Sequence, residues 1–329
     1  MNTGNTSTVP PADEAIVCAY RLGDRPGSLD WAVDAPPPRE PYWVHFDRLK
    51  PGAAHWLAHH SGLDPLLQEA LLADETRPRY VHEAGGLLLI LRGVNLNPGA
   101  DPEDMVSIRI WLEADRLITL RNRPLQAVRQ LREQFDRGEG FSRPGEIVAA
   151  IASGLVERVG PIIGEIDEEL DALEEQLLSA PAPQFRNQLS ALRRQTVALR
   201  RHLSPQREVL HRLANESVAA LTGTPRNTLR ESADQLTRQV EDLDALRERA
   251  AVTQEELIAR LQDGMNANMY RLSVVAAIFL PLGFLTGLLG INVGGMPGVD
   301  SPLAFWIVCA ALGALVGIEL LVLLWRRWL

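Results

Sequence analysis

The chain has 329 residues, 46% hydrophobic and 23% charged, with a formal net charge of −9. An acidic chain suits cations and not phosphate backbones, so nucleic acid is excluded as a natural ligand. The two cysteines, Cys18 and Cys309, cannot build a disulfide framework or a Cys-x-x-Cys metal site.

Residues 1–14, within the polar stretch "MNTGNTSTVPPADEA", lack an apolar core and read as a disordered lead-in without a signal peptide. Residues 15–140 read as a cytoplasmic α/β domain. Its β-like runs are "EAIVCAYRL", "YWVHFD", "GLLLILRGVN" and "MVSIRIWLEADRLITLRN", separated by turn-rich pieces such as "APPPREP" and "LNPGADPED". Between them "GAAHWLAHHSGLDPLLQEALLA" reads helical. His55, His59 and His60 lie on this stretch at i, i+4 and i+5. His55 and His59 have the spacing to share a metal, but no third ligand is evident nearby, so the group reads as an ordinary surface of a helix.

Helical pattern takes over from Pro124, and residues 141–271 read as a cytoplasmic helical domain and stalk. Long amphipathic helices are expected over about 144–179, 184–220 and 226–290. The first carries seven acids: Glu165, Asp167, Glu168, Glu169, Asp171, Glu174 and Glu175. They read as a solvated face, with a divalent-cation patch as the alternative. In the third, Leu229, Leu236, Leu243, Ala250 and Leu257 recur every seven residues, which is coiled-coil spacing. No proline interrupts it before Pro281, so about 60 residues are expected to run as one rod of roughly 90 Å into a membrane.

Residues 272–329 read as a transmembrane domain. "LSVVAAIFLPLGFLTGLLG" (Leu272–Gly290) carries no charge over 19 residues. As a helix it is about 28 Å long, close to a hydrocarbon core of about 30 Å. "LAFWIVCAALGALVGIELLVLLW" (Leu303–Trp325) is long enough to span with tilt. Arg260 and Arg271 precede the first span and Arg326 and Arg327 follow the second. The outer loop 291–302 holds no Lys or Arg, so both termini are expected in the cytoplasm. Two spans cannot enclose a pathway, so conduction requires several copies around an axis. Ala276, Ala277, Gly283 and Gly287 permit close helix approach, and Pro281 is positioned to loosen the first span. Glu319 is the only ionisable residue inside either span. It reads first as an acid near the helix end that pairs with an arginine, and second as a proton site. No P-loop, Gly-x-Gly-x-x-Gly, Gly-x-Ser-x-Gly or His-Glu-x-x-His motif occurs, so neither an enzyme nor a nucleotide site is expected.

Gly290-Ile291-Asn292 closes the first span. A Gly-x-Asn at that point, a short outer loop, a second span and a basic end together resemble the CorA family of divalent-cation channels and transporters. The family usually has Gly-Met-Asn. "GINVGGMPG", "FLPLGFLTGL", "RRWL", "ADETRPRY" (Ala73–Tyr80) and "LSPQREVLHRL" (Leu203–Leu213) look like its zinc-transporting ZntB branch, so the likeness covers nearly the whole chain. The resemblance implies a funnel-shaped homopentamer in a bacterial inner membrane, with the first span lining the pore and the second packed outside it. Carried onto this chain, the pore face comprises Asn266, Met269, Leu272, Ala276, Leu280, Gly283 and Gly287. Steps of three and four keep these on one side of a helix. Gly290, Ile291 and Asn292 would form the outer filter, with Gly290 permitting a turn at no Cβ cost. Asn292 oxygens would hold a hydrated ion through its water shell. The implied cargo is zinc, taken up with protons, with magnesium, cobalt, nickel and cadmium as further candidates. The rivals are a magnesium or cobalt channel of the same architecture and a non-conducting membrane-anchored scaffold or sensor.

Overall fold

The computed structural model describes residues 15–74, 77–83, 85–179, 184–216, 218–290, 298 and 301–325. The chain divides into two compact units, Met1–Glu255 and Glu256–Leu329. The expected α/β and helical portions fall in the first unit, apart from the stalk's last turns. Both expected spans fall in the second.

The first unit is built on a seven-stranded mixed sheet. Its strands are β1 (Ile16–Arg21), β2 (Gly27–Ser28), β3 (Tyr42–Asp47), β4 (Arg79–Glu83), β5 (Gly86–Gly93), β6 (Val106–Leu112) and β7 (Arg116–Arg121). They lie in the order β2-β1-β3-β7-β6-β5-β4. All pairings are antiparallel except β3 with β7, where Val44 lies opposite Ile118 and Phe46 opposite Leu120. The alternation of side chains along β3 sends residues to two different layers. Tyr42, Val44 and Phe46 join a core with Ala53, Trp56 and Leu57 of α1 (Pro51–His59) and Leu71 of α2 (Pro65–Leu72). Trp43 faces the opposite layer, 5.6 Å from the ring of Phe135 in α3 (Gln126–Asp136). Burial of both sheet faces explains why β5 and β6 read as nearly unbroken apolar runs.

The helical stretch expected over 52–73 is two helices. Gly62 takes a positive φ of 67° and Asp64 caps α2 by accepting from the Leu66 N–H at 2.8 Å, with Pro65 at the first helical position. The helix expected over 144–179 is likewise α4 (Pro144–Glu157) and α5 (Val159–Ser179). Pro161 has no N–H to return to the carbonyl of Glu157, and the chain restarts its helix at Val159. By length and composition Pro144–Leu177 is apolar enough to cross a membrane, yet 56% of its apolar window is buried inside the protein. Ile147, Val148, Ile151, Leu155 and Val156 of α4 lie in the core, so this apolar surface is already occupied by protein.

α6 spans Phe185–Asn215 and continues through Pro205, and a single 3-10 turn, Ala219–Leu221, precedes α7. α7 is one helix of 66 residues, Thr224–Leu289. The boundary between the two units falls within it. In the first unit the heptad residues Leu229, Leu236, Leu243 and Ala250 are all buried. The second unit holds the rest of α7 and α8 (Ala304–Trp325). The apolar windows of α7 and α8 are 6% and 0% buried.

Candidate functional site

The seven residues expected to line a pathway all lie on the C-terminal part of α7, and all are exposed. Met269, Leu272 and Leu280 expose 65%, 70% and 74% of their surface. The least exposed residues of this segment are Val274, Ile278, Pro281, Leu282 and Leu285. At 100° per residue they centre on the side of the helix opposite to the seven. Phe279 and Phe284 are exposed on the flanks. α7 therefore has a shielded stripe and a broad apolar surface open to other matter, with Asn266 as the polar member of the seven at the near end.

Pro281 leaves α7 unbroken. A Cβ added at Gly283 or Gly287 would meet nothing within 4 Å, so both positions leave open space along the helix surface. Gly290 is the turn residue that follows α7. Its φ is not positive, and its N–H donates to the carbonyls of Thr286 at 2.9 Å and Gly287 at 3.2 Å. A Cβ there would lie 3.2 Å from the Thr286 carbonyl, so close approach, not a left-handed turn, favours glycine. Ile291 and Asn292, the rest of the expected filter, lie outside the described residues, as do Arg326 and Arg327.

Glu319 is half-buried on α8, and its Oε2 has no hydrogen-bond partner among the described residues.

The acidic stretch of α5 is not an open cage. Arg249 of α7 donates to Asp167 at 2.7 Å, Asp171 at 2.5 Å and Glu174 at 2.8 Å. The Thr253 hydroxyl donates to Glu174 as well. Hydrogen bonds that it donates to Asp171 and Glu174 hold the Arg249 guanidinium well above its ordinary pKa. A fixed cation thus stands where three of the seven carboxylates converge, while Glu165, Glu168, Glu169 and Glu175 remain on the outer side of the helix. Arg249 sits beside the heptad residue Ala250, a flank that coiled coils use for interhelical charge pairs. The sequence therefore held a signal for this contact.

On α1 the His59 imidazole stacks on that of His55 at 4.3 Å between centroids, and its Nδ1 lies 2.9 Å from the His55 carbonyl. The expected His55 and His59 pair is thus engaged with itself.

Two stretches singled out in the sequence meet the sheet directly. The buried Arg109 of β6 and the largely buried Arg48 donate to main-chain carbonyls at the head of "ADETRPRY". Arg109 reaches Ala73 O at 2.6 Å and Arg48 reaches Leu72 O at 2.8 Å. Burial pushes the Arg109 guanidinium down to about 10, where it stays charged at neutral pH. In "LSPQREVLHRL", Gln206 of α6 accepts from the Arg92 N–H at 2.6 Å and donates to the Arg92 carbonyl at 3.0 Å. β4 pairs with β5 no further than Ile90, so the Gln206 amide continues the ladder in place of a strand.

Comparison with known proteins agrees in length and arrangement. The CorA-like Mg2+ transporter protein family matches residues 39–327. The chain is 42% identical over 310 residues to the divalent cation transporter CmaX of Pseudomonas aeruginosa, covering 93% of each. It is 34% identical over 302 residues to the zinc transport protein ZntB of Pectobacterium carotovorum, covering 92% of each. The structure of the full-length CmaX protein superposes with a TM-score of 0.81 at 39% identity, covering 96% of this chain and 98% of that one.

Proposed function

Because the chain belongs to the CorA-like Mg2+ transporter protein family, we propose that it moves divalent metal cations, zinc foremost, across a bacterial inner membrane. The observation that carries this reading is the exposed apolar surface of α7 and α8, which only lipid or further copies of the chain can cover. Two helices cannot surround an ion, so the working unit is a homopentamer, with residues 15–271 in the cytoplasm and 272–329 as the pore domain. The exposed α7 face from Asn266 through Met269, Leu272, Ala276, Leu280 and Gly283 to Gly287 lines the pathway, and Gly290-Ile291-Asn292 forms its outer mouth. Arg260 and Arg271 before the first span favour a cytoplasmic first unit.

This pathway offers no thiolate, imidazole or carboxylate. Such a lining does not strip water from zinc or magnesium, so the ion passes the Asn292 ring with its inner waters and crosses an apolar constriction at Met269, Leu272 and Leu280. Zinc is favoured by the similarity to a zinc transport protein along 92% of the chain. Magnesium or cobalt is the second reading, favoured by the family's own description. Glu319 is the proton site in this scheme.

The deciding measurement is flux of zinc and of magnesium into proteoliposomes, with and without an inward proton gradient. Zinc flux that rises with the gradient, falls at least about tenfold in Asn292→Ala, and loses its pH dependence in Glu319→Gln is expected. Gradient-independent magnesium flux would assign the chain to the second reading. No flux of either ion would leave a scaffold or sensor.

A further inference from the structure

The loop between β2 and β3 brings a carboxylate to the histidines of α1. Asp34 Oδ1 lies 3.9 Å from His55 Nε2. One ligand atom from each of Asp34, His55 and His60 falls within 4.8 Å of the others. We propose that these three residues bind a divalent ion of the zinc class, at a site separate from the α7 helix face.

The two backbones that carry the ligands are anchored to one side chain. Trp56 of α1 is fully buried, and Trp31 of the loop packs edge-on against it at 5.7 Å. Val33, next to Asp34, is fully buried, and the Trp31 indole N–H donates across Asp34 to the Ala35 carbonyl at 3.3 Å. At the far end of α1, the His60 N–H donates to the Trp56 carbonyl at 2.8 Å, which fixes the residue that ends the helix. The backbones are held while the ligand side chains remain accessible. Zinc bonds of about 2.0–2.2 Å in tetrahedral geometry put ligand atoms about 3.4 Å apart, so small rotations of exposed side chains close the site.

The donors select the ion. Two imidazoles and one carboxylate suit zinc, cobalt(II) or nickel(II), whereas magnesium takes oxygen ligands in an octahedron. Three protein ligands leave a fourth position for water, the pattern of an exchanging site and not of a structural one. His59 stays outside, with its Nδ1 against the His55 carbonyl. The competing arrangement is an ordinary ion pair between Asp34 and His55, which binds no metal.

The full chain, purified in detergent and stripped with chelator, would be titrated with cobalt(II), read by its visible absorption, and then with zinc as competitor. Loss of even an outer-shell partner lowers metal affinity about 10–100-fold, so His55→Ala, His60→Ala and Asp34→Asn are each expected to weaken binding at least about tenfold. His59→Ala is expected to bind as the parent does, and unchanged thermal unfolding of all four variants would establish that each is folded. Equal binding by the parent and the first three variants would overturn the site. Equal weakening in all four would also overturn it, pointing to a diffuse histidine surface. A parent with no cobalt absorption would overturn it as well. Because the readout is binding, its failure is separable from a failure of transport.

Discussion

His45 of β3 is fully buried, opposite Cys18 of β1 on one side and Thr119 of β7 on the other. Trp43 Nε1 donates to the Thr119 hydroxyl at 2.8 Å, and that hydroxyl lies 3.2 Å from the Val44 carbonyl that it can donate to. His45 Nδ1, also 2.8 Å from the hydroxyl, then serves as a donor, and its Nε2 has no partner among the described residues. Burial, with Arg121 and Arg132 nearby, pushes the imidazole down to about 3. His202 is pushed down to about 4 by burial and by Arg92, Arg201 and Arg77. Both histidines are neutral when folded and charge in the unfolded chain below about 6.5. The unfolded chain then holds more protons, so stability is full above that pH and falls as the pH drops towards 4. His45 alone sets a limiting slope of about 1.4 kcal/mol per pH unit. Thermal unfolding followed across this range should fall steeply for the parent and less steeply for His45→Asn, which keeps a donor towards Thr119. A parallel slope in the variant would remove His45 as a cause. None of this was legible in "YWVHFD", where the alternation marks a strand but not that both of its faces are covered.

Among the elements, the sequence marked the long and strongly patterned ones and missed the short and polar ones. β5, β6 and β7 were visible as apolar runs. β4, "RYVHE", was not, because an edge strand with exposed charges carries neither the composition nor the alternation of a buried one. β2 is two residues long and has no pattern to read. The α1–α2 break was readable in "SGLDP" once glycine and the Asp-Pro start are taken as stop and start signals. Contacts between elements were mostly hidden. Gln206 reaches Arg92 across 114 positions, and nothing local announces it. Replacing it with leucine removes the partner of a part-buried N–H and carbonyl, so stability should fall by about 1 kcal/mol. Unchanged thermal unfolding of Gln206→Leu would show that water closes the ladder instead. Arg249→Ala tests the α5–α7 contact. These pairs are half-exposed, so the loss should be on the order of 1 kcal/mol. Added magnesium should recover part of it, because three carboxylates then face each other without their cation. A variant as stable as the parent, and indifferent to magnesium, would mean that solvent already screens the cluster.

At the scale of the whole molecule, the apolar character of the last two helices was fully legible, since uncharged length needs no tertiary information. The proposed homopentamer was not, because surfaces that would meet between copies look the same in sequence as surfaces that would meet lipid. The exposed α7 face and its shielded stripe give a direct test. In a Cys309→Ser background, with Cys18 retained because it is largely buried, cysteine at Met269 should cross-link between chains up to pentamers in membranes. Cysteine at Ile278, on the shielded stripe, should cross-link far less. The reverse result would turn the helix around and move the pathway to the other side.

The parallel pairing of β3 with β7 also sets an order of events during synthesis. Strands β1 to β3 leave the ribosome with no completed sheet to join until residue 121 has followed them. About 150 further residues are made before the first apolar span begins at about residue 272. At about 5–20 residues per second that interval lasts roughly 8–30 s. The sheet therefore has time to close before the segment that commits the chain to a membrane emerges. Slowing closure of the β3–β7 pair would expose the apolar strands during that wait.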